Sequence, residues 1–90
     1  MIRGKSYRAI ATDIAEGYVT VNPIFLKPLD AEAVKGLYEE VIKLQSVVRA
    51  EKFPFSDMQG IRLRNLKLSR LQQALVVIKN FARERRILIV

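Results

Sequence analysis

The side chains that could do chemistry in this chain are carboxylates, hydroxyls and cations, because it contains neither cysteine nor histidine. Disulfides, thiolate nucleophiles and thiolate metal sites are therefore excluded. So is the imidazole that serves most often as general base and transition-metal ligand. Ser6, Ser46, Ser56 and Ser69 have no histidine to activate them, and each has a simpler role as a helix cap or helix surface. Carboxylates pair twice in the sequence, Asp13 with Glu16 and Glu39 beside Glu40. Successive helix residues point about 100° apart, so Glu39 and Glu40 cannot converge on one substrate. Glu39 instead stands four residues before Lys43, the favourable order for a surface ion pair of about 0.3 kcal/mol. Gly4, Gly17, Gly36 and Gly60 are isolated, which removes the glycine-rich phosphate cradles. No loop is dense enough in oxygen ligands to hold a hard cation. The expectation is a protein that is not an enzyme and uses no metal or cofactor.

Positive charge is what remains. The 90 residues carry a formal charge of +7, with a pI near 10.2. The excess sits at the two ends: Arg3, Lys5 and Arg8 open the chain, and residues 58–90 hold eight bases against Glu84 alone. Lys79, Arg83 and Arg86 fall at i, i+4, i+7, a one-face stripe that can follow a phosphate backbone. Arg64, Lys67, Arg70 and Arg85 are spread round the same segment, as expected if charge near a helix end serves the dipole and solubility. Tyr7 and Tyr18 give thin aromatic support for base stacking.

Those cations must be positioned by helices. Asp30 is a good N-cap, and Val34, Leu37, Val41, Leu44 and Val48 follow at 3-4-3-4 spacing, which predicts a helix over 30–52 with Pro54 beyond its end. Ser56-x-x-Gln59 has the form of a capping box, and the pattern onward predicts a second helix over 57–86. Ser69-x-x-Gln72 offers a later start near 69. Ile61, Leu68, Leu71, Leu75, Ile78 and Ala82 share one arc, and Arg62, Asn65, Ser69, Gln72, Asn80 and Arg83 share the opposite one. The link Lys52-Phe53-Pro54-Phe55 is short, so the two helices should lie antiparallel. Residues 1–29 read as an arm. Tyr7, Ile10, Ala11 and Ile14 fit a short helix between Ser6 and Gly17, with a strand as the other reading. Ser6–Ala11 resembles the first helix of a helix-turn-helix, but Pro23 falls where the recognition helix would run. Tyr18–Val21 should be extended, and Pro23 and Pro28 should keep Asn22–Leu29 out of regular helix as an apolar strap. Residues 87–90 form an apolar tail, as a short strand or packed on a neighbour. Gly36 inside the first long helix either admits a close neighbour or is merely tolerated.

The fold class expected is mainly α: a single domain of 1–90 built on an antiparallel helical hairpin. With 50% hydrophobic residues in so short a chain, the hairpin has more apolar surface than two helices can cover. Leu63, Leu66, Val77 and Phe81 flank the second seam, and Tyr38 and Ile42 broaden the first. These predict a homodimer with a four-helix arrangement, in a small adaptor or scaffold that binds an unknown protein partner. The alternative is a nucleic-acid-binding protein using the Lys79, Arg83, Arg86 stripe and the arm. The longest apolar run, Ala74–Ile78, is far below the ~20 residues of a membrane span. No apolar segment precedes Asp13 and Glu16, so no membrane partner and a cytoplasmic location are expected.

Overall fold

A computed structural model of the chain describes residues 2–89; Met1 of the predicted arm and Val90 of the predicted tail lie outside them. The described residues form four helices and no strand: α1 (Tyr7–Glu16), α2 (Pro23–Leu26), α3 (Ala31–Ala50) and α4 (Met58–Glu84). The two long helices stand within two residues of the predicted bounds. α3 starts where Asp30 Oδ1 accepts the Ala33 N–H at 2.8 Å, and it stops at Ala50, short of Pro54. α4 runs unbroken through Ser69, so the start near 57 is the correct one. Its cap is Asp57, whose Oδ1 accepts the Gly60 N–H at 2.9 Å, rather than Ser56.

The arm is the largest correction. Residues 7–16 are helical, capped by Ser6 Oγ accepting the Ala9 N–H, and they end at Gly17 with φ +85°. There the Tyr18 N–H returns to the Asp13 carbonyl, closing a turn that a β-carbon would strain. α1 packs against both α3 and α4, so the core is a three-helix bundle rather than a hairpin with a strap. Asn22–Leu29 is not extended throughout: Pro23–Leu26 forms one helical turn. Pro23 occupies its first position, where no N–H is needed, and Asn22 Oδ1 accepts the Phe25 N–H at 2.8 Å. Of the supposed strap only Leu26 is fully buried; Phe25 is half-buried beneath the Arg3 guanidinium, and Ile24 is exposed.

Helix directions follow from a few contacts. Gln45 Nε2 donates to Gln72 Oε1 at 3.1 Å and Arg64 Nη1 to the Glu51 carbonyl at 2.9 Å, so α3 and α4 are antiparallel. The Tyr7 ring lies on Gly36 near the start of α3, and the Ala15 carbonyl meets Arg70, so α1 runs parallel to α3. Gly36 is therefore there for close approach: a β-carbon would stand 2.3 Å from Tyr7 Cε2. At about 1.5 Å per residue, α1 spans about 15 Å against about 40 Å for α4, and it covers only part of the hairpin. Ile10, Ala11 and Ile14 of α1, Val34, Leu37 and Val41 of α3, and Leu71, Leu75 and Ile78 of α4 are buried, and among the described residues no polar one is buried with them.

α4 ends at Glu84, two residues before the predicted end. Arg86 has φ +57°, the Arg86 N–H returns to the Arg83 carbonyl, and the Ile87 N–H returns to the Ala82 carbonyl at 2.8 Å. This is a Schellman turn with arginine where glycine is usual. It folds Ile87 and Ile89 onto the chain's own core, and residues 87–89 form no strand. Arg86→Gly should relieve about 1 kcal/mol of left-handed strain and raise Tm by about 4–8 °C. Calorimetry showing an unchanged or lowered Tm would contradict that geometry.

Candidate interaction surfaces

The cations divide by what they touch. Lys5 pairs with Asp13 at 2.9 Å, Lys67 with Glu16 at 3.5 Å, and Glu40 takes both Lys43 at 3.5 Å and Arg8 at 3.9 Å. Lys43 thus turns to Glu40 and not to the expected Glu39. Arg70 Nη1 donates to the Ala15 carbonyl at 3.0 Å, and Arg64 Nη1 to the Glu51 carbonyl. These two guanidiniums of α4 each close the carboxyl end of another helix, where carbonyls are orphaned and the dipole is negative. Gly17 makes room for Arg70: a β-carbon there would lie 2.9 Å from its Cζ. These bases are engaged in holding the fold, although the net charge stays at +7.

Lys79 and Arg83 remain exposed on α4, and Arg83 Nη2 donates to Asn80 Oδ1 at 2.7 Å. Arg86 leaves the predicted stripe, because the helix ends before it. Arg85 lies over the Phe81 ring at 4.8 Å. The Gln45–Gln72 contact marks the side of the hairpin turned away from α1. At about 100° per residue, Lys79 and Arg83 point to that side from α4, as do Lys35 and Arg49 from α3, with Arg62 at its edge. All four ion pairs lie on the α1 side. The face opposite carries bases and amides, with Glu39 and Glu84 only at its outer margins. Lys35 and Arg49 were invisible as members of a cluster in sequence, since they join it only through helix pairing.

The predicted apolar flank is not one patch. Phe81 is a core residue, 6% exposed. Val77 is half-buried beside the 17–21 loop. Tyr38 is half-buried and Ile42 39% exposed, both on the face away from α1. Leu63 and Leu66 stand seven and four residues before Arg70, within about 40° of its direction. They therefore continue the α1-facing groove beyond the end of α1, at 50% and 43% exposure. Val47, 52% exposed, is placed the same way on α3, and Phe55 and Met58 crown that end of the bundle.

A groove of about 550 Å³ runs between the 17–21 loop and α4, lined by Val19, Thr20, Val21, Gln73, Val76 and Val77 among others. It holds no carboxylate, and its one ionic side chain, Arg70, is committed to Ala15. Among the described residues no three acids, histidines or cysteines are grouped to hold a metal, and no helix is long and apolar enough to cross a membrane. No family model, curated protein or solved structure matches the chain.

Proposed function

We propose that the protein is a non-enzymatic interaction module that self-associates through the distal half of its α3–α4 hairpin. The observation that carries this reading is the early end of α1, which leaves Val47, Leu63 and Leu66 in line and half-exposed with no helix over them. Covering such residues is worth roughly 25 cal/mol per Å² of apolar area, enough for several to favour association. A second copy suits this groove in charge as well. Its rim carries both signs, Glu16 beside Lys67, so two copies can set opposite charges against each other. The basic face on the other side would repel its own copy. Distal halves of two hairpins then form the four-helix arrangement, and Val77, Phe81, Tyr38 and Ile42 have no part in it. The assembled pair would present its remaining surface to another protein, as an adaptor does.

Light scattering at micromolar concentration tests this. The wild-type chain should weigh twice its 10.3 kDa. Leu63→Asp/Leu66→Asp should return it to a monomer with unchanged helical circular dichroism, since both side chains are already half in water. A wild-type monomer, or a double variant that remains dimeric, refutes the reading.

A further inference from the structure

We infer that the face of the α3–α4 hairpin turned away from α1 binds the phosphate backbone of duplex nucleic acid. Two separate observations meet here. The first is segregation of charge. Every ion pair among the described residues lies on the α1 side, where Asp13, Glu16 and the shared Glu40 pair with Lys5, Arg8, Lys43 and Lys67. Lys35, Arg49, Arg62, Lys79 and Arg83 have no acid within ion-pair distance among the described residues. Glu39 and Glu84, at the outer margins of the face, are in no ion pair either. Other cations, Arg64 and Arg70 among them, are also in no ion pair, but the four that are paired all lie on the α1 side, and this face has none.

The second observation is geometric. Gln45 and Gln72 fix the helix register, and ten residues along each helix bring Lys35 level with Ala82, beside Lys79 and Arg83. Lys79 and Arg83 are one turn apart, about 6 Å along the axis, and Arg62 lies about 26 Å from Lys79. A duplex places a phosphate every ~3.4 Å per strand along its axis, so a face of this length meets several. Between the cations stand Gln45, Asn65, Ser69 and Gln72, neutral groups of the kind that contact phosphate and sugar oxygens. An anionic bilayer would be met by large apolar side chains standing fully out among the bases; here Tyr38 is half-buried, and Ile42 and Val76 are 39% and 47% exposed. With no exposed aromatic platform on this face, recognition would rest on the backbone and be indifferent to sequence. Ribose and deoxyribose duplexes share this chemistry.

Fluorescence anisotropy with labelled duplex DNA and duplex RNA, titrated between 50 and 200 mM salt, tests the inference. Binding to at least one duplex should weaken steeply with salt. Lys35→Gln/Lys79→Gln/Arg83→Gln should flatten the log–log salt slope by about 2 to 3, one phosphate per lost cation. The charge-matched triple Lys5→Gln/Arg8→Gln/Lys43→Gln, on the α1 side, should leave the slope within one unit of wild type. Circular dichroism on both triples separates lost binding from lost folding. Equal flattening by the two triples would reduce the effect to net charge and overturn the inference. So would absence of duplex binding, or retention on phosphatidylserine vesicles with duplexes ignored. If one duplex alone binds, the face stands and its source is identified.

Discussion

Leu75→Asp should leave the chain without a cooperative unfolding transition at 25 °C. Leu75 is 6% exposed on the face of α4 that meets α1 and α3, and no polar side chain among the described residues is buried with it. An aspartate there loses the leucine's packing, worth about 2–5 kcal/mol, and faces a further desolvation penalty of several kcal/mol with no partner to offset it. Domains of this size hold about 5–13 kcal/mol in total, so the sum consumes most or all of it. Far-ultraviolet circular dichroism and urea titration are the measurements. Leu75→Met should by contrast cost under about 1.5 kcal/mol, because volume and polarity are kept. A Leu75→Asp chain that unfolds with a midpoint near that of wild type would mean the α4 seam is not the core.

Gly36→Ala should destabilise the protein by about 1–3 kcal/mol, against the direction of helix propensity. In an exposed helix interior the substitution would gain about 1 kcal/mol. Here the new β-carbon would stand 2.3 Å from Cε2 and 2.5 Å from Cδ2 of Tyr7, too close for any pair of carbons. Either the ring leaves its place or α1 shifts away from α3, and overpacking of this kind carries the stated penalty. Tyr7→Ala loses ring packing but removes the obstacle. The pair should therefore show coupling: Gly36→Ala made in the Tyr7→Ala background should be neutral or stabilising. A cycle of four denaturation curves gives the coupling free energy, expected at about 1 kcal/mol or more. Additive effects would show that α1 does not dock by that ring.

The two long helices were legible because their signals are local. Asp30 and the 3-4-3-4 apolar run lie within the helix they define, and so does the arc from Leu71 to Ala82. The third helix was half legible: Tyr7, Ile10, Ala11 and Ile14 showed the right face, but nothing within 6–17 says that this face lies in the groove of a hairpin beginning at residue 31. Pro23 misled because proline is both a breaker and a first-turn residue, and Asn22 before it decides which. Arg86 misled because a helical stripe presumes a helix, and only the return of Ile87 to Ala82 shows where it ends. The division of the bases was least legible. Arg64 and Arg70 close helix ends 13 and 55 residues away in sequence, and Lys35 joins Lys79 only across the hairpin. A helix count of exposed cations without acids at three or four residues raises Lys79 and Arg83 and would have raised Arg49, but not Lys35, which has Glu32 and Glu39 at three and four residues.

A core whose buried residues, among those described, are all apolar has a bearing on descent. Apolar interiors accept many combinations of side chains of similar total volume, so leucine, isoleucine, valine and phenylalanine can be exchanged among these sites with small penalties. Few positions in this bundle are tied to one residue type by anything stricter than size and polarity. Gly17, held at φ +85° beneath Arg70, and Gly36, beneath Tyr7, are among the firmest. Lineages carrying this fold can therefore drift until pairwise identity fades, while the two glycines and their covering side chains persist as the traceable signature. Descendant chains that kept the core identities but varied both glycines would contradict this account.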